Sequence, residues 1–143
     1  MNKEAETPIE FNDLIFAALD HGVDSIADGA GPLIPFVMIV TVEGEKRLQR
    51  FVTDQLEEGV EAARNYVEEE KSDTAIYAIA WDGYLTLDEQ KCDAILVEAG
   101  ERDRERGVLL AQRYEQKGMF KKKTHLIGNP ALVENPVSRI YGT

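Results

Sequence analysis

The sequence has few of the features that form disulfides or cross a membrane. It has one cysteine, Cys92, so no disulfide can form within the chain. Its longest nearly unbroken apolar run, residues 33–42, is well below the roughly 20 residues that a membrane-spanning helix needs. The polar, acidic N-terminal residues differ from the basic start and apolar segment of a signal peptide. We therefore expect a reducing compartment, by default the cytoplasm, and no association with a membrane.

Basic residues are also scarce, and the net charge is −11. Residues 1–99 hold seven Lys/Arg and 22 Asp/Glu, whereas residues 100–143 hold nine and five. Nucleic acid is an unfavourable partner for such a chain because phosphate contacts need a positive surface. A local basic patch with neighbouring aromatic side chains is the remaining nucleic-acid candidate, and its members are Arg102, Arg104, Arg106, Lys117, Lys121, Lys122, Lys123, Tyr114 and Phe120. Acidic residues alternate with the arginines, which favours a solvated hairpin tip.

Two helices are predicted from apolar spacing and end signals. Thr7-Pro8-Ile9-Glu10 has the pattern of a capping box, and an apolar stripe of helical period follows it. Asp28-Gly29 is a plausible end, because glycine adopts the left-handed conformation that follows many helices. A second helix is predicted over residues 54–70, with a narrow apolar seam and a glutamate-rich outer face.

The remaining segments are predicted as strands joined by short turns. Residues 33–42 form an apolar strand in the interior of a sheet, and residues 47–52 return as a more polar strand near an edge. Residues 74–81 and 84–87 are predicted as two strands around a tight turn at Asp82-Gly83. Residues 92–99, 108–114 and 124–127 complete the set.

The element order predicts an α+β two-layer domain. Its mainly antiparallel sheet has about five to seven strands and carries two helices, in the order α-β-β-α-β-β-β-β-β. A parallel doubly wound sheet is excluded, because crossover helices are missing after residue 73. The chain is predicted to be one domain over residues 1–143, with extended or poorly ordered termini at 1–6 and 135–143.

No motif indicates a catalytic residue, a metal site or a cofactor. The glycines at 29 and 31 follow a helix and precede a strand, which is the reverse of a phosphate-binding loop. Asp20, His21 and Asp24 do not converge as metal ligands would, so a solvated helix face is favoured. Cys92 is more typical of a packed core thiol than of a nucleophile.

Five residues are nevertheless candidates for a site. Glu98 lies in an apolar strand, and Arg113 from the next strand is a candidate ion-pair partner for it. Glu98, Arg113 and Tyr77 are the predicted ligand-binding residues if a pocket exists between the helices and the sheet. Trp81 and Tyr84 are the predicted interface residues, since Trp and Tyr concentrate at protein interfaces.

Two functions remain open. The first is a non-catalytic interaction or regulatory module with a protein partner or a second copy of the chain. The alternative is a small enzyme or ligand-binding domain with a pocket between helices and sheet. The absence of a catalytic motif favours the first.

Overall fold

The computed structural model describes residues 10–29, 32–119 and 122–142. Two helices and six strands make up the described fold, with one 3₁₀ turn at Lys71–Asp73 before β3. In chain order they are α1 (Phe11–Ser25), β1 (Phe36–Thr41), β2 (Lys46–Arg50), α2 (Leu56–Glu69), β3 (Thr74–Leu87), β4 (Gln90–Glu101), β5 (Val108–Lys117) and β6 (Lys123–Glu134).

The six strands form one sheet in the order β2-β1-β3-β4-β5-β6, and every neighbouring pair is antiparallel. The predicted fold class, an α+β domain with two helices on an antiparallel sheet, is therefore confirmed. β1 lies inside the sheet and β2 at its edge, as their apolar and polar compositions predict. Among the described residues, no helix is long and apolar enough to cross a membrane.

Helix α1 covers one face of the sheet. Leu14, Ile15 and Ala18 belong to a buried cluster that also contains Ala80 and Ile95 from the sheet. We call this side of the sheet the α1 face. The stripe that predicts the helix is therefore the surface that it buries.

Helix α2 covers the opposite face of the sheet, which we call the α2 face. The β3 residues that pack with α2 alternate with those that pack with α1, and successive residues of a strand point to opposite sides. Ala63 and Val67 of α2 pack with Tyr77 and Ile79 of β3. Each helix thus packs against its own face of the sheet. Ile140, from the segment that follows β6, is fully buried in the same cluster.

The predicted turn at Asp82-Gly83 is wrong. β3 runs through both residues, so the two strands predicted at 74–81 and 84–87 are one, and four strands follow α2. The chain reverses at Asp88 and Glu89, whose φ angles are +51° and +65°. Two positive φ angles between paired strands define a type I′ hairpin turn.

Helix α1 and strand β6 also differ from their predicted bounds. The backbone of Glu10 is extended, and the helix begins at Phe11 rather than within the predicted capping box. Residues 7–9 of that box lie outside the described residues. β6 covers Lys123–Glu134 rather than four residues, because the pairing with β5 shifts register opposite residues 111–113 and continues past Pro130.

Candidate functional site

One long edge of β3 loses its neighbouring strand halfway along. β1 pairs with β3 only as far as Phe36, opposite Ala80, while β4 pairs with β3 from Ile76 to Leu87. Residues 82–87 of β3 therefore have a neighbouring strand on one side only. We call their other side the open edge.

The direction of the backbone groups on the open edge follows from the hairpin. Leu87 and Gln90 flank a two-residue turn, so their backbone groups face each other across β3 and β4. Directions alternate along an antiparallel strand, which turns the N–H and C=O groups of Asp82, Tyr84 and Thr86 away from β4. Ala75 fits this alternation, because its carbonyl accepts a hydrogen bond from the β4 side. Three residues thus present backbone donors and acceptors along the open edge.

The first half of the open edge, residues 82–84, lies in a cleft of about 660 Å³. One wall comes from the first turns of α2, another from the loop before β1, and the rest from β3, β4 and β5. The lining residues are Pro32, Leu56, Glu57, Val60, Arg64, Trp81, Asp82, Gly83, Tyr84, Asp93, Tyr114 and Gln116.

On the α2 face, the cleft is bounded by Trp81 and the side chains of α2. The guanidinium of Arg64 lies over the Trp81 ring, 5.4 Å from its centroid. The Nε atom of Arg64 is buried and has no hydrogen-bond partner among the described residues. Gly83 contributes only backbone to this wall. A Cβ added to it would come within 2.6 Å of Leu96 Cδ1. This wall thus combines the apolar surfaces of Leu56, Val60 and Trp81 with the charged side chains of Glu57 and Arg64.

On the α1 face, Asp82 is held by two hydrogen bonds. The backbone N–H of Leu33 donates to Oδ2 at 2.9 Å, and the Tyr114 hydroxyl donates to Oδ1 at 2.8 Å. Burial raises the pKa of the Asp82 carboxyl, these two bonds oppose the rise, and the negative charge of Asp93 adds to it. Burial also raises the pKa of the Tyr114 phenol, and its hydrogen bond to Asp82 raises that pKa further.

The predicted interface residues, Trp81 and Tyr84, both line this cleft. They lie on opposite faces of β3, because they are three residues apart in one strand. Tyr84 is 60% exposed, and the Lys91 ammonium lies 3.9 Å from its ring centroid. Their role at an interface stays a prediction.

The predicted ligand-binding residues are only partly brought together. Tyr77 donates from its hydroxyl to Glu98 at 3.2 Å, but the ion-pair partner of Glu98 is Arg139, at 2.6 Å, rather than Arg113. Arg113 lies farther along β5, opposite Ala94 of β4. The role of Glu98, Arg113 and Tyr77 in ligand binding stays a prediction.

Arg139 completes a buried polar cluster that the sequence analysis missed. Its Nη2 donates to Glu98 at 3.3 Å, its Nη1 donates to Glu68 of α2 at 3.1 Å, and its backbone N–H donates to the Tyr77 hydroxyl at 3.1 Å. Glu98 is 5% exposed, and these groups satisfy it within the fold. The cluster fastens the segment after β6 to the α2 face. The sequence signal for this cluster is one arginine in the segment that is predicted as an extended or poorly ordered terminus.

The other chemical candidates lie apart from one another. Cys92 is half-buried, and its thiol donates to the Tyr114 carbonyl at 3.6 Å. His21 packs edge-on against Phe36, and His125 is on β6 opposite Glu115. Within residues 10–29, 32–119 and 122–142, no three His, Cys, Asp or Glu side chains are placed to hold a metal ion.

The basic residues of the remaining nucleic-acid candidate do not form one described patch. Arg102, Arg104 and Arg106 lie in the β4–β5 connection, whereas Lys117 and Lys122 flank the β5–β6 connection at the other end of β5. Phe120 and Lys121 lie outside the described residues.

Comparison with known proteins identifies no relative. No family model matches this chain, and neither the curated proteins nor the solved structures contain a match.

Proposed function

We propose that this chain is a non-catalytic interaction module that binds an extended segment of a partner protein along the open edge of β3. The observation that carries the proposal is that β1 ends opposite Ala80 while β3 continues to Leu87, with residues 82–84 lining a cleft. An extended peptide can add to such an edge as a further strand, with main-chain hydrogen bonds supplying affinity.

The open edge has the length and the shelter that strand addition needs. Asp82, Tyr84 and Thr86 each present one N–H and one C=O, which is enough for a segment of about six residues. The flanking walls contain Trp81 and Tyr84, and aromatic side chains of these kinds dominate the energetics of protein interfaces. Edge and walls together favour an extended segment over a globular surface.

A small ligand is the second candidate, and the cleft itself favours it. A volume of about 660 Å³ lies within the range of about 300–1,000 Å³ that is typical of ligand pockets. The hydrogen-bonded pair of Asp82 and Tyr114 would supply a polar contact, with Asp93 and Gln116 also lining the cleft. This candidate needs no contact with the backbone of the open edge.

Thr86→Pro distinguishes the two candidates. Proline removes the N–H that faces the open edge and places its ring there, but it leaves the pairing of β3 with β4 intact. Peptides are first selected on the parent protein from a display library of random heptapeptides. We expect them to bind Thr86→Pro about tenfold more weakly, since the change removes a hydrogen bond and adds a steric block.

Thr86→Ala is the matched control, because it loses the same hydroxyl and keeps the N–H. Peptides that bind the parent, Thr86→Ala and Thr86→Pro equally would contradict strand addition. A library that yields no binder to the parent would also count against it. Small molecules that bind the cleft equally in all three proteins would favour the second candidate.

A further inference from the structure

The two walls of the cleft differ in chemistry, and an added strand would touch both. Side chains of an extended segment point alternately to the two faces of a sheet. Neighbouring residues of a segment at the open edge would therefore meet the α1-face wall and the α2-face wall in turn. Each wall thus selects the side chains at every second position of the partner segment.

The α2-face wall favours an apolar side chain. Leu56 and Val60 of α2, the Trp81 ring and the backbone of Gly83 line it, and Leu96 Cδ1 occupies the place that a Cβ of Gly83 would take. The Arg64 guanidinium already lies over the Trp81 ring, 5.4 Å from its centroid. An apolar side chain here would remove the exposed surface of Leu56 and of the Trp81 ring from water, which stabilises association.

The α1-face wall favours a positive charge. Asp82 lies on this side, and Asp93 faces it from β4, opposite Tyr84. Asp93 is close enough to Asp82 to raise the pKa of its carboxyl. A cation placed between the two carboxylates would relieve their repulsion. The Lys91 ammonium lies over the Tyr84 ring, and among the described residues it makes no ion pair with either carboxylate.

From these two walls we propose that the partner segment alternates apolar residues with lysine or arginine, and that its cationic side chains face Asp82 and Asp93. The inference rests on the proposed strand addition and specifies its partner. The aromatic rings of Tyr84 and Tyr114 beside the carboxylates suit the same side chains, because ammonium and guanidinium groups pack on aromatic faces.

Four heptapeptides with blocked ends serve as probes. The first alternates valine and lysine, the second alternates valine and glutamate, the third alternates valine and glutamine, and the fourth has the composition of the first in two blocks. Titration followed by amide hydrogen exchange measures both affinity and location. We expect the first peptide to bind best and to protect the amides of Tyr84 and Thr86.

Charge variants of the protein complete the test. Asp93→Asn should weaken the lysine peptide about two- to fivefold, the range of an exposed ion pair, and leave the glutamine peptide unchanged. Asp103→Asn, on the β4–β5 connection, is the control for net charge and should change neither. Added salt should weaken the lysine peptide more than the glutamine peptide.

The possible failures are distinguishable. If the glutamate or glutamine peptide protects Tyr84 and Thr86 as well as the lysine peptide does, strand addition stands and the charge inference is wrong. If the block peptide binds equally well, the alternation is wrong. If no peptide protects these amides, or if they become protected by self-association at higher protein concentration, both the inference and the proposed partner are wrong.

Discussion

Arg139→Met tests whether the segment after β6 is fastened by its ion pair with Glu98. The Arg139 side chain contacts the Glu98 carboxylate through Nε at 2.6 Å and Nη2 at 3.3 Å. Methionine keeps much of the aliphatic stem but removes both donors. In the variant, the Glu98 carboxylate stays buried, with 5% of the residue exposed. Among the described side chains, its remaining hydrogen-bond donor is the Tyr77 hydroxyl.

The expected cost follows from this burial. Removing one partner of a buried ion pair destabilises a protein by about 3–5 kcal/mol, because the other charge stays buried without its counterion. The Arg139 side chain is 25% exposed, so water can reach part of the site and the lower end applies. A loss of about 3 kcal/mol corresponds to a fall in Tm of roughly 10 °C in a domain of this size.

Glu68→Gln is the matched control. It removes the other carboxylate that Arg139 contacts, at 3.1 Å, but the Glu68 side chain is 55% exposed. An exposed pair of this kind contributes about 0–1 kcal/mol. Urea unfolding of both single variants, followed by fluorescence and circular dichroism, gives the two costs under the same conditions.

A double-mutant cycle with Glu98→Gln isolates the pair itself. For two residues in one hydrogen-bonded network we expect a coupling free energy of about 1–3 kcal/mol. If Arg139→Met costs no more than Glu68→Gln, or if the coupling is near zero, the terminal segment is not held by this pair. The account of the α2 face would then be wrong.

Three further predictions concern β3. Leu85→Pro should destabilise the fold by about 1–3 kcal/mol, because the N–H of Leu85 faces β4. Thr86→Pro should cost less than about 1 kcal/mol, because the N–H of Thr86 faces the open edge. Thermal unfolding of the two variants checks the assigned direction of the open edge. Gly83→Ala should cost no more than about 1 kcal/mol, because the 2.6 Å approach is to the end of the half-buried Leu96 side chain, which can rotate away, and Leu96→Ala in the same chain should remove that cost in urea unfolding. Burial raises the pKa of the Asp82 carboxyl in the folded state above its ordinary value, so Asp82 binds a proton more tightly when the protein is folded. Its contribution to the free energy of unfolding therefore falls as pH rises from the ordinary pKa through the raised one. Unfolding at several pH values should therefore show Asp82→Asn gaining stability relative to the parent between about pH 3 and neutral pH, and a constant or opposite difference would contradict the assigned direction.

Several features of the fold could be predicted because their signals are local. The apolar stripe of α1 marks the surface that it buries, and the apolar character of β1 on both sides reflects the two helices that cover opposite faces. Alternation alone did not show which face each helix covers. That choice depends on the path of the connections, which the apolar pattern does not encode.

The errors also have physical causes. Asp82-Gly83 has the composition of a hairpin turn, but Gly83 lies within β3, where the Leu96 side chain fills the place of a Cβ. At the turn itself, Asp88 is a residue that tolerates positive φ, but Glu89 stands where a type I′ turn usually has glycine, so Asp82-Gly83 is the stronger hairpin signal of the two. Arg139 is 41 residues from Glu98, and the residues between them do not specify which arginine reaches the carboxylate.

The remaining edges of the sheet explain why the open edge of β3 is the one expected to bind. Natural sheets protect exposed edges with short strands, charges, proline or bulges. β2 is five residues long and three of them are Lys or Arg, while β6 carries Pro130 and a register shift beside Gly128, whose φ is +67°. Residues 82–87 have neither proline nor a register shift against β4. Under the proposed function, their protection is the cleft around residues 82–84, whose walls would leave room for one extended segment rather than for the broad edge of another sheet. An edge that is sheltered by walls rather than blocked along its backbone can remain available to one chosen partner without promoting aggregation.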